Sequence, residues 1–157
     1  MKRIGIYLML LAAALLAPVE RADVAQLRPV EVVCVWRTET GITLQTDTMD
    51  IGQGSSVAAA LEDLRATTPA IVYLDTADYL LIGDGAMEEA KALRQVLKST
   101  VRLCAAHQEV PLEEVSQYLK VHGELPGFSQ WESGAELPVL TVENERLKIS
   151  KKSEISA

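Results

Sequence analysis

Apolar and polar positions follow two periods along this chain, and the changes of period divide it into elements. Residues 30–36, VEVVCVW, are apolar and β-branched on both sides: Val30, Val32, Cys34 and Trp36 on one, Val33 and Val35 on the other. Such a strand belongs in the middle of a sheet covered on both faces. RTETG (37–41) turns the chain, with Gly41 free to take a positive φ. In ITLQTDTM (42–49), Ile42 and Leu44 oppose Thr43 and Gln45, which predicts a half-exposed strand pairing back on the first.

After residue 50 the period lengthens. GQGSS (52–56) reads as a flexible loop, and Val57, Ala60, Leu61, Leu64 and Thr68 then fall at helical spacing. Ser55 or Ser56 is the expected cap, and Pro69 lies past the end. AIVYL (70–74) and YLLIG (79–83) read as strands separated by DTAD. A helix over 86–99 would bury Ala86, Ala90, Leu93 and Leu97, with Glu88 and Glu89 in its first turn and Lys98 in its last, matched to the dipole. TVRLCAA (100–106) is another strand. A third helix, opened by Pro111 and ended at Gly123, puts Leu112, Val115, Leu119 and His122 on one face. The stretch 124–138 reads as a loop, and VLTV and RLKIS as a hairpin joined through ENE. ERADVAQL (20–27) predicts a short helix stopped by Pro29. Strands alternating with helices give an α/β (α+β) fold, a mixed β-sheet with helices packed on it.

One segment stands outside this pattern. Lys2 and Arg3 precede an apolar run of 16 residues from Ile4 to Val19, which reads as a signal peptide or signal anchor occupying 1–22. The run is slightly short for a bilayer span, which takes about 20 residues. Cleavage after Ala14, Ala17 or Ala22 stays open, as does retention of the segment as an anchor. No cysteine lies near residue 20, so no lipoprotein-type anchor is expected there. The rest divides into an α/β domain over 23–125 and a loop with a C-terminal hairpin over 126–157.

With 157 residues, 48% hydrophobic, the chain is long enough for one compact core. Its net charge of −7 and its few aromatic residues speak against a nucleic-acid partner. Cys34 and Cys104 each sit in a strand-like run. Export would permit a disulfide, but neighbouring strands seldom present bridging geometry, which favours two buried free thiols. The two cysteines with His107 and His122 show no metal-ligand spacing.

Three aspartates, Asp75, Asp78 and Asp84, form the one acidic group with a chemical reading: a divalent cation site, or divided acid and base roles. The spacing matches no known calcium loop, and the structural alternative is simpler. Asp75 and Asp78 would cap a turn, and Asp84 would serve the helix N-terminus at Met87. GQGSS lacks the lysine of a P-loop and the third glycine of a dinucleotide fingerprint, so an anion cradle there is the weaker reading. No nucleophile elbow or reactive-cysteine signature occurs. Phe128 and Trp131 would tuck over the core edge. The residues therefore assign no catalytic site, no cofactor and no metal.

The order of pieces resembles the N-terminal domain of the Ger(x)C family, the C subunit of nutrient germinant receptors in endospore-forming bacteria. The resemblance rests on an export signal, then ERADVAQL, VEVVCVW and Gly41, and a Gly-rich loop opening the helix SVAAALEDL. It continues through IVYLDTADYLLIGDGAMEEAKALRQVL and VRLCAA, and more loosely through PVLTVENERLKIS. The chain departs from the family in lacking the lipobox cysteine and in stopping at Ala157 where members continue. The resemblance implies a non-enzymatic, membrane-associated spore germination protein in the cell envelope. It would sit at the outer face of the cytoplasmic (spore inner) membrane, with membrane-embedded germinant receptor subunits and the membrane surface as partners. Two alternatives belong to other classes: a small exported hydrolase or metal-dependent enzyme using Asp75, Asp78 and Asp84, and a generic envelope interaction domain.

Overall fold

A computed structural model of the chain describes residues 27–150. The leader at 1–22, residues 23–26 and 151–157 lie outside the described residues. So does the helix expected over 20–27, save Leu27, which opens a strand.

The strands are β1 (Leu27–Pro29), β2 (Val32–Thr38), β3 (Gly41–Thr46), β4 (Ile51–Gly54), β5 (Ile71–Tyr73), β6 (Tyr79–Ile82), β7 (Arg102–Ala106), β8 (Val139–Glu143) and β9 (Arg146–Ser150). The helices are α1 (Val57–Thr67), α2 (Met87–Leu93), α3 (Leu112–His122) and α4 (Phe128–Glu132). Seven strands form one mixed sheet in the order β4-β3-β2-β6-β7-β8-β9. Its centre, β2, β6, β7 and β8, is parallel, and β3, β4 and β9 run antiparallel to their neighbours. The fold is α/β, and the C-terminal hairpin closes the same sheet.

Side chains alternate between faces along each strand, and that alternation makes two cores. Val33, Val35, Leu80, Ile82, Leu103 and Val139 face α1, α2 and Phe128 of α4. Val32, Cys34, Leu81, Cys104, Ala106 and Leu140 face α3 through Leu112, Val115 and Leu119. Val30 departs from its expected face and joins Val33 and Val35. The reason is a break at Glu31: its N–H donates to the Asp47 carboxylate, and its C=O accepts from Asp78 and Tyr79.

GQGSS is corrected from a loop to the end of edge strand β4. Its glycines are there for close packing. A Cβ on Gly52 would fall on the Ala60 carbonyl and the Leu64 backbone, and one on Gly54 would lie 2.5 Å from the Ala60 nitrogen. Helix α1 thus folds straight back over β4, capped by Ser56, whose Oγ accepts from Ala59 N–H at 3.2 Å.

β5 does not pair with β6. It pairs in parallel with β1 as a separate two-stranded sheet. A 3₁₀ turn (Leu74–Thr76) then leads into β6. The Thr76 hydroxyl ties the turn to Val30, accepting from its N–H at 3.0 Å and lying 2.9 Å from its C=O.

Cys34 and Cys104 are free and buried. Both neighbour Leu81 across the ladder, so two strand spacings, about 10 Å, separate them. A disulfide needs Cα atoms within about 7 Å.

Three smaller corrections concern the helices. α2 stops at Leu93 rather than 99, although Ala86, Ala90, Leu93 and Leu97 are the buried stripe as expected. His122 is exposed beside the Tyr118 ring, centroids 4.7 Å apart, and not on the buried face of α3. The expected loop at 124–138 contains α4, with Phe128 buried and Trp131 packed against the core. Among the described residues no helix is long and apolar enough to cross a membrane.

Gly52→Ala should cost at least about 2 kcal/mol, because the added methyl meets backbone that cannot rotate away. Chemical denaturation of the variant against the parent measures this, and an unchanged midpoint would contradict the packing of α1 on β4.

Candidate functional site

In parallel sheets covered by helices, ligands bind where the strands end. At that end, continuing the registers Val35↔Ile82 and Ile82↔Ala105 brings Arg37, Asp84 and His107 into one row across three strands. His107 Nδ1 and Asp84 Oδ1 are 2.5 Å apart, and both side chains are largely exposed. Arg37 Nη2 lies 3.2 Å from Oε1 of Glu89, one turn into α2. Glu89 is the buried member, its side chain 7% exposed against 60% for Arg37, and its Oε2 has no hydrogen-bond partner. The row beneath pairs Trp36 with Gly83, where a Cβ would collide with the indole ring. Glycine is required there so that Trp36 can lie across β6.

The three aspartates are not gathered. Asp75 sits exposed in the 3₁₀ turn, Asp78 pairs with Lys98 at 2.5 Å, and Asp84 pairs with His107. Asp78 and Asp84 lie at opposite ends of β6. Among the described residues no group of three or more His, Cys, Asp or Glu side chains is placed to hold a metal ion. The capping roles expected of these residues are corrected too. α2 begins at Met87 behind Ala86, with no side-chain cap, because Asp84 turns to the imidazole, and Thr76 rather than an aspartate fastens the turn. Lys98 leaves the helix terminus to bind Asp78 and the Thr76 carbonyl.

An Asp–His pair orients an imidazole for proton transfer, but a hydrolase also needs a nucleophile within reach. The cysteines do not supply one. Both face α3, and burial pushes their thiols up, that of Cys104 to about 12, so neither is a thiolate at neutral pH. At GQGSS the Asp63 carboxylate accepts the Gln53 N–H at 2.8 Å and puts negative charge there.

A second polar group lies where the parallel strands begin. The Glu31 carboxylate accepts from the Ser116 hydroxyl and, at 2.9 Å, from Lys120, joining β2 to α3. These two hydrogen bonds, Ser116 first, hold its pKa below the ordinary Glu value. Asp47 is shifted the other way by desolvation, although it accepts the Glu31 N–H. Nearby Tyr79 is raised, chiefly by burial and next by Asp78. These groups pair with one another and tie the helices to the sheet. Sequence reading missed both clusters, because their partners stand from 16 to 89 positions apart. One signal was available for Asp84 and His107, each falling two residues past a buried strand position.

Two outcomes check these assignments. Arg37→Ala should destabilise by about 2 kcal/mol by leaving a buried carboxylate unpaired, whereas Glu89→Leu should be near neutral or stabilising. Equal losses in thermal melts would contradict the asymmetry. Glu31 has a lowered folded pKa, so its stabilisation is present above its unfolded value near 4.5 and fades as pH falls through the folded one. Glu31→Gln should therefore cost up to about 1 kcal/mol at neutral pH, and a pH series of melts should show that difference shrinking in acid. Compared with known proteins, the chain matches no family model, no curated protein and no solved structure.

Proposed function

We propose that this is a non-enzymatic envelope protein of spore germination, tethered at the outer face of the cytoplasmic (spore inner) membrane. It acts there by contact with membrane-embedded germinant receptor subunits. The observation that carries the reading is the run over 70–106, with its Ile-Gly-Asp turn between apolar strand and helix, in the order of the Ger(x)C N-terminal domain and behind an export leader. A domain with its thiols buried and its aspartates dispersed suits work by contact.

A second reading, a small exported hydrolase, has one observation in its favour, the Asp84–His107 pair at the ends of the parallel strands. It has against it the placement of Asp75 and Asp78 away from that pair.

Deleting the gene in its sporulating host and following optical density after nutrient addition separates the two. Nutrient-triggered germination should slow by about tenfold or more, as loss of a contact essential to a complex would produce, with spore yield unchanged. A copy carrying Asp75→Asn, Asp78→Asn and Asp84→Asn should restore it. Unchanged germination, or a host that forms no spores, would overturn the reading; failure of the triple variant with unaltered melting would favour the enzyme.

A further inference from the structure

The exposed apolar side chains are not spread evenly over the domain. Among the described residues six large hydrophobic side chains are exposed: Met49, Ile51, Ile71, Tyr73, Met87 and Val121. The topology puts five of them at one end, where the parallel strands begin. Met49 and Ile51 lie at the β3–β4 turn, which returns beside the start of β2. Ile71 and Tyr73 lie on β5, just before β6 starts. Val121 lies in the last turn of α3, which runs back from the end of β7. Met87 alone sits at the opposite end, in the first turn of α2. That opposite end carries the polar tips of the hairpins, Glu39 and Thr40 in one and Asn144 and Glu145 in the other.

The leader joins the domain at the apolar end. Val19 closes the apolar run and Leu27 opens β1, eight residues later. Eight residues reach at most about 28 Å, and the headgroup layer on one side of a bilayer takes up about 6 Å of that. β1 pairs with β5 in register, Pro29 opposite Tyr73, so the exposed Ile71 and Tyr73 belong to the piece of structure nearest the tether. Val72 between them packs on the core, which leaves Ile71 and Tyr73 on the outer face of this small sheet. Pro29 is exposed and has no N–H to offer a further strand. Contact here is thus made by side chains, and tyrosine with aliphatic residues is the composition that settles at a lipid headgroup boundary.

We propose that the strand-starting end of the domain rests on the lipid surface, with Met49, Ile71, Tyr73 and Val121 in the headgroup layer. The inference rests on the reading of residues 4–19 as a retained membrane anchor. The polar end, with the Arg37, Asp84 and His107 row, then faces away from the bilayer.

The test places a nitroxide at position 73, 49 or 87 in the full chain, through Tyr73→Cys, Met49→Cys or Met87→Cys. Cys34 and Cys104 are buried and stay unlabelled. The chain is reconstituted in vesicles of phosphatidylcholine and phosphatidylglycerol, and collision with a water-soluble nickel chelate is measured. Positions 73 and 49 should collide at least about fivefold less than position 87, the shielding expected of a headgroup layer several ångströms deep. Circular dichroism melts confirm that each variant folds. A chain that fails to float with the vesicles overturns both the anchor and the docking. A chain that floats while positions 73 and 49 collide as freely as 87 overturns the docking alone. Shielding confined to membranes containing receptor subunits would replace the lipid by a protein partner.

Discussion

The strands β2, β6 and β7 bury their side chains on both faces, from Val32 to Val35, Tyr79 to Ile82 and Leu103 to Ala106. Three adjacent parallel strands with no wet side require a helical layer above and another below. Each fully buried Val, Leu or Ile contributes about 1.5–3 kcal/mol, so this block dominates the favourable side of folding. α1 and α2, with Phe128 of α4, cover one face and α3 the other, each through its apolar side. The chemistry of the two cysteines follows from the same burial: they lie in the centre of the α3-facing core and behave as small hydrophobes.

A sheet of seven strands leaves two edges that could recruit other chains. On β4, α1 occupies the outward groups: Asp63 takes the Gln53 N–H at 2.8 Å and the Thr67 hydroxyl lies 3.4 Å from the Ile51 carbonyl. On β9, the Tyr118 hydroxyl accepts the Ile149 N–H at 3.1 Å. Helices that cover the cores thus also guard the edges. The two ends of the sheet differ. One carries Met49, Ile51, Ile71, Tyr73 and Val121, exposed, with Glu31, Lys120, Asp78 and Lys98 paired internally. The other carries a row of charge, backed by the buried Glu89 carboxylate that Arg37 neutralises.

Several expectations that the structure corrected concerned residues with two comparable options. Aspartate satisfies a helix cap or an ion pair equally well, and His107, 23 positions away, claimed Asp84. Glycines serve loops or close packing, and GQGSS proved to be the second because α1 lands on it. AIVYL had the composition of a strand, but its partner turned out to be β1 and not the next strand along.

What the sequence determined by itself was periodicity: where most strands and the first three helices form, most of their apolar sides, and that VEVVCVW sits mid-sheet. These are local properties, set by spacing within a few residues. Tertiary structure alone decided strand order, the separate β1–β5 pair, the Arg37, Asp84 and His107 row and the gathering of exposed apolar residues at one end. Each of these depends on register between segments far apart in the chain, and a one-residue slip would have reassigned every pair.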